Sequence, residues 1–198
     1  MFTLIPIRRR NAPWVMLLLA LSLPIVVDCE RTCTGPCERD EPEGEQLNGS
    51  FECSGRPTLE GWRFGNPELA SSIEDAPPGG GRWCLRLEAD WAPTLGFVVA
   101  PIPGVHDGDA IRLSAFVRAG NEYGGGSIAL YVGKIPYRDG TLLKRAWTSE
   151  SYWTHLSVED TVSLAEGDSV WAILSTFDTE IAPRTGLFDL VVVDSIRE

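Results

Sequence analysis

The chain predicts an all-β fold, an antiparallel β-sandwich or jelly roll, and three observations point there. Short runs alternate between apolar and polar residues with a period of two. Gly and Pro punctuate the intervals between these runs. No stretch combines a helical apolar stripe with capping signals. The clearest strand lies within Gly108–Gly120, where Ile111, Leu113, Ala115 and Val117 alternate with Arg112, Ser114, Phe116 and Arg118. Side chains on a strand point to opposite faces in turn, so one face is apolar and the other mostly polar. Such a strand belongs to an antiparallel sheet with one face on the core.

Residues 1–28 read as an export signal, with Arg8, Arg9 and Arg10 before an apolar run from Ala12 to Val27 that Pro24 interrupts. That run is shorter than the roughly 20 residues a membrane-spanning helix needs. Cys29 follows at once and resembles the lipidated cysteine of bacterial lipoproteins, although Asp28 stands where that family has a small residue. Residues 29–46 carry six carboxylates, two arginines and almost no apolar residues. They cannot bury enough surface to offset the entropy of ordering, so they are expected to form a flexible tether.

The folded domain is expected over 47–198. Leu47–Glu52 reads as an opening strand, and 66–81 as a loop containing Pro77-Pro78-Gly79-Gly80-Gly81. Alternation then predicts strands at 83–88 and 95–99, within 108–120, and at Ser127–Val132, where Ile128, Leu130 and Val132 oppose Ala129 and Tyr131. A long loop through Pro136, Asp139-Gly140 and Lys144 is expected before strands at 153–158, 162–164, 169–177 and 187–193.

The net charge of the 198-residue chain is −11, and the leader contributes +2 of it, leaving −13 on the remainder. Such acidity argues against nucleic acid and anionic lipid surfaces, which need clustered Lys and Arg. Membrane contact is expected only through a lipid on Cys29. Should Cys29 be lipidated, Cys33, Cys37, Cys53 and Cys84 remain, an even number that suits disulfides in an exported protein. A zinc site fits less well, since His106 and His155 stand in distant segments. Enzyme motifs are missing: there is no Gly-x-Ser-x-Gly elbow, and no glycine cluster precedes a helix with Lys-Ser/Thr. Carboxylate pairs such as Glu88 and Asp90 could serve glycosidic chemistry, but nothing in the sequence sets them across a cleft.

Several motifs occur in a telling order: Asn48-Gly49-Ser50-Phe51-Glu52, Gly61-Trp62, Cys84-Leu85-Arg86-Leu87, Gly108–Ala115, Trp153–Ser157 and Phe188-Asp189-Leu190-Val191. Together they resemble the carbohydrate-binding modules attached to bacterial cellulases and xylanases, which are galactose-binding-like jelly rolls. Leu190 departs from that family's pattern, which has a second Asp there. The resemblance implies a galactose-binding-domain-like sandwich that binds polysaccharide without catalysis. It implies a structural calcium held by Glu52 and Asp189, although both could be plain surface carboxylates. It also implies that Cys53 and Cys84 come together as a disulfide.

For the ligand, alternation puts Arg112, Phe116, Arg118 and Tyr131 opposite the core side of their strands. If those neighbouring strands pair, the four share one open face that can stack on a sugar and hydrogen-bond an acidic glycan. The alternative for that face is simple solvation. Loop rings, Trp91 and Tyr137, are the other candidates, and Trp62, Trp83, Trp147, Trp153 and Trp171 can all be core or rim. The expected function is a non-catalytic, cell-surface or secreted glycan-binding module. A structural or adhesive protein using the same fold for protein contacts is the alternative, and a small lyase or hydrolase a third reading.

Overall fold

A computed structural model describes residues 47–89, 96–136, 138–176 and 183–196, all within the compact unit Gly35–Glu198. The export signal, the tether, Cys29, Cys33, Cys37, Trp91 and Tyr137 lie outside the described residues. No helix among the described residues is long and apolar enough to cross a membrane.

The described chain is an antiparallel β-sandwich. Its strands are β1 (Glu52–Cys53), β2 (Arg56–Pro57), β3 (Arg63–Phe64), β4 (Ala70–Glu74), β5 (Trp83–Ala89), β6 (Phe97–Ile102), β7 (Ala110–Ala119), β8 (Gly126–Gly133), β9 (Thr141–Thr148), β10 (Thr154–Thr161), β11 (Ser169–Thr176) and β12 (Arg184–Ile196). One sheet has the order β10-β7-β12-β5-β4 and the second β3-β6-β11-β8-β9, while β1 and β2 form a small hairpin. From β5 onward, every connection except β8–β9 passes from one sheet to the other. This is jelly-roll winding, and it keeps the apolar faces of successive strands opposed across a single core.

The alternation places side chains where the sequence predicts. Ile111, Leu113, Ala115 and Val117 of the first sheet and Ile128, Leu130 and Val132 of the second all enter that core. Each large aliphatic buried there contributes about 1.5–3 kcal/mol.

Five expectations need correction. Strands β7 and β8 do not pair, because they sit in different sheets. The Gly124-Gly125-Gly126 link carries the chain across, with Gly125 at φ 148°. A Cβ on Gly126 would run into the Phe188 ring, so the crossing requires glycine. The loop expected over 66–81 contains a 3-10 turn, Pro67–Leu69, and strand β4. The long loop expected through Lys144 contains β9, whose bulge opposite Leu130/Tyr131 breaks the alternation. Residues 162–164 are not a strand, and the opening strand shrinks to Glu52–Cys53.

The expected Cys53–Cys84 disulfide is also overturned. Cys84 is a free, buried thiol, while Cys53 is disulfide-bonded, so its partner lies outside the described residues. Strand β5 pairs with β4 and β12, leaving Cys84 opposite Ile73 rather than beside β1.

Candidate functional site

The outer face of the first sheet carries Arg112, Phe116 and Arg118, as alternation along β7 requires. Both of these arginines are engaged by carboxylates. Arg112 donates from Nε (3.1 Å) and Nη2 (2.9 Å) to Glu159 Oε2 on β10. Arg118 is paired with Asp75 and lies over the Trp153 ring, 5.4 Å from its centroid. Phe116 packs on its cross-strand neighbour His155 with ring centroids 5.1 Å apart. Arg82–Glu74 and Arg86–Glu88 add two more ion pairs on the same sheet. The arginines Arg86, Arg112 and Arg118 of this sheet are thus each held by a carboxylate.

Tyr131 stands on the far side of the molecule, on the outer face of the second sheet. That face is different in kind. Its outward positions include Phe97 and Val99 of β6, Trp171 and Ile173 of β11, Ala129 and Tyr131 of β8, and Leu142, Arg145 and Trp147 of β9. Val99, Ala129, Trp171 and Ile173 form a second apolar cluster that is itself buried, each at most 5% exposed, with Phe97 and Tyr131 packed against it. The Trp171 indole donates to the Gly133 carbonyl at 2.9 Å, and the Arg63 guanidinium covers its ring at 5.5 Å. Ser127 and Ser175 are spent on each other at 2.9 Å. Trp147, at the rim, is 63% exposed. Alternation alone could have signalled this face. Phe97–Ala100 and Val170–Leu174 are apolar at every position, so both of their faces are apolar.

Glu52 and Asp189 meet at a third place, where the ends of the domain join. Strand β12 bulges between Asp189 and Val192, with Leu190 held at φ 48°. The bulge receives the opening motif. Val191 N–H donates to the Gly49 carbonyl at 3.1 Å, and a Cβ on Gly49 would strike the Val191 carbonyl. Phe51 packs on Trp62 with centroids 5.7 Å apart, and the Trp62 indole donates to the Asn48 carbonyl at 2.9 Å. The Glu52 carboxylate accepts from the Arg82 N–H at 2.8 Å and the Trp83 N–H at 3.2 Å.

Asp189 is fully buried; its Oδ1 accepts from Leu190 N–H at 2.8 Å, and its Oδ2 has no hydrogen-bond partner. Burial pushes its carboxyl up to about 7, the Leu190 N–H pulls it down, and the charge of Glu52 adds a smaller upward push. Gly80 lies against Asp189 Oδ2 and Gly81 against the Glu52 carboxylate, where any Cβ would collide. Two carboxylates, one with an orphaned buried oxygen, thus flank a side-chain-free turn. These are hard oxygen donors of the kind calcium takes. No cluster of three or more His, Cys, Asp or Glu that could hold a metal occurs among the described residues. Backbone carbonyls and water would therefore have to complete a shell here.

A hollow of about 390 Å³ near Gly133 is lined by Asp139, Thr141, Ser163 and Asp168. Both aspartates there cap local turns, Asp139 accepting from Ile135 N–H and Asp168 from Ala165 N–H.

No protein-family model and no curated protein matches the sequence. Solved structures do match by shape. One is a family 16 carbohydrate-binding module, at TM-score 0.55 and 17% identity, covering 75% of this chain and 97% of its own. Another is the CBM22-1 xylan-binding domain from Paenibacillus barcinonensis Xyn10C, at TM-score 0.56 and 13% identity, covering 80% and 99%. A third is the enzymatically active domain of bacteriophage CBA120 tailspike protein 4, at TM-score 0.55 and 12% identity; the match covers 77% of this chain but 21% of that one. At such identities the likeness speaks for fold and leaves function to the site. The chain has the jelly-roll fold of carbohydrate-binding modules.

Proposed function

We propose that the protein is a non-catalytic carbohydrate-binding module that holds a polysaccharide on the outer face of its second sheet. One observation carries this reading: on the outward side of the second sheet the largely exposed Trp147 ring and the half-buried Tyr131 ring stand beside the exposed Arg63 and Arg145, over a buried apolar layer. Flat rings such as Trp147 and Tyr131 offer rigid apolar area to the C–H face of a sugar at little entropic cost. The first sheet is a poorer platform, since its arginines are already engaged by Glu159 and Asp75.

Calcium is part of the proposal. Glu52 and Asp189 would hold it, and the cation would neutralise their two charges at the junction of the opening and closing strands. Export to the cell surface or medium rests on the arginine-led apolar leader. A lipid on Cys29 would keep the module at the membrane.

The test is a glycan array followed by titration calorimetry. Trp147→Ala should weaken polysaccharide binding at least about fivefold. Its melting temperature should barely move, because the ring is largely exposed. Arg112→Ala, on the first sheet, should leave binding intact. Loss of binding in Arg112→Ala with full binding in Trp147→Ala would move the site to the other sheet. No glycan bound by the folded chain would favour protein contacts instead.

A further inference from the structure

The hollow of about 390 Å³ near Gly133 lies between β9, at the edge of the second sheet, and the link 162–168 that carries the chain from β10 to β11. Its volume falls within the roughly 300–1,000 Å³ of small-molecule sites. The lining divides by chemistry. Asp139, Thr141, Ser163 and Asp168 bring carboxylates and hydroxyls, while the half-buried Leu143 and Leu164 bring apolar surface.

Backbone hydrogen bonds hold these walls in place. Asp139 Oδ1 accepts from the Ile135 N–H at 2.7 Å, and the Asp139 N–H donates to the Ile135 carbonyl at 3.3 Å. Asp168 repeats the arrangement: Oδ2 accepts from the Ala165 N–H at 3.1 Å, and its own N–H donates to the Ala165 carbonyl at 3.1 Å. The turn before β7 pins the link, with Asp107 Oδ1 accepting from the Leu164 N–H at 2.8 Å and the Asp109 carbonyl from the Val162 N–H at 2.9 Å. Each lining carboxylate thus spends one oxygen on its own turn. Among the described residues no hydrogen bond engages the other, Asp139 Oδ2 or Asp168 Oδ1. A Cβ on Gly140 would stand 3.4 Å from the Tyr131 ring, so the turn bearing Asp139 abuts the face that carries Tyr131.

From this geometry we infer that the hollow is a second glycan site, which takes a single sugar unit bearing no acid group and reads it by its hydroxyls. The inference rests on the glycan-binding reading above and adds a site to it. A sugar ring carries neighbouring O–H donors at its edge and C–H groups on its faces. Carboxylate oxygens fixed by their turns accept from those hydroxyls, Thr141 and Ser163 can donate or accept, and the leucines meet the C–H groups. Acceptors positioned in advance lose little freedom on binding. The same two carboxylates set the ligand's charge, because an acidic sugar would meet like charges at close range.

NMR titration of the isotope-labelled full chain reads this site residue by residue. Methyl glycosides of glucose, galactose, mannose and xylose are titrated beside the uronic-acid forms of glucose and galactose. At least one neutral glycoside should shift the amides of Thr141, Ser163, Ala165 and Asp168 and reach saturation. The uronic forms should bind about tenfold more weakly or not at all. Thr141→Val and Ser163→Ala should each weaken the neutral sugar about threefold. Both side chains are exposed, so these variants report on binding rather than folding. Asp168→Asn, which keeps an oxygen for the Ala165 N–H, should weaken it further, and Trp147→Ala should leave it unchanged. No saturable shift in the hollow with any glycoside, equal affinity for neutral and acidic forms, or indifference to all three hollow variants overturns the inference. If a polysaccharide still binds through Trp147 in that case, the sheet-face reading survives; if nothing binds at either place, both fall.

Discussion

The buried carboxyl of Asp189 should make the stability of the calcium-free protein depend on pH in a way one substitution abolishes. In the folded chain its pKa rises from 3.8 to about 7, chiefly because burial disfavours the charge. Asp189 has no solvent exposure, so screening does not dilute the effect. The native state thus keeps this proton up to near pH 7, while the unfolded chain releases it near pH 4. Below that lower value both states are protonated and the stabilisation is fully present. As pH rises toward 7 only the unfolded state gains by ionising, so native stability falls by about 1.4 kcal/mol per unit. Above pH 7 both are ionised, and a total of about 4 kcal/mol has been lost.

Urea unfolding in excess chelator at half-unit steps from pH 4.5 to 8.5 measures this directly. Asp189→Asn keeps an oxygen for the Leu190 N–H but cannot ionise, so its profile should lack this component. Excess calcium at pH 8 should restore stability to the wild type by binding only the folded form, and should do much less for the variant. Parallel pH profiles for wild type and Asp189→Asn in chelator would refute the reasoning.

Two further outcomes follow from the same junction. Burial, with added pushes from Asp75 and Asp189 against the pull of Arg118, raises the Cys84 thiol to about 12. Cys84 should therefore resist alkylation in the native protein and react on denaturation, as peptide mapping would show; rapid native labelling would contradict its burial. Gly49→Ala should destabilise by about 2–3 kcal/mol in denaturant titration, since the Cβ meets the Val191 carbonyl at the bulge. An unchanged midpoint would mean that the opening segment does not depend on this close approach.

Alternation alone determined the β class, the sandwich, and which side chains of β7 and β8 enter the core. That signal is local: successive side chains on a strand point to opposite faces, and the apolar set must leave water. The motif order from Asn48 to Asp189 likewise foretold the jelly roll through its resemblance to carbohydrate-binding modules. Strand β9 escaped because its bulge puts Leu143 out of step, and β4 because Ala-Ser-Ser-Ile-Glu has almost no apolar pattern.

Pairing was decided only by the tertiary structure. Ladder hydrogen bonds join backbone to backbone and carry little side-chain identity, so β7 and β8 look like natural neighbours in the sequence. Their apolar sets instead face each other across the core, which sends Tyr131 to the opposite surface from Arg112, Phe116 and Arg118. The partners of a charge are equally non-local. Nothing near Arg112 or Arg118 announces Glu159 or Asp75. The same holds for cysteine, because a disulfide needs two backbones at bonding distance and β5 keeps Cys84 between β4 and β12. The sequence therefore identified a sandwich, and the winding of its strands decided which side chains share each of its faces.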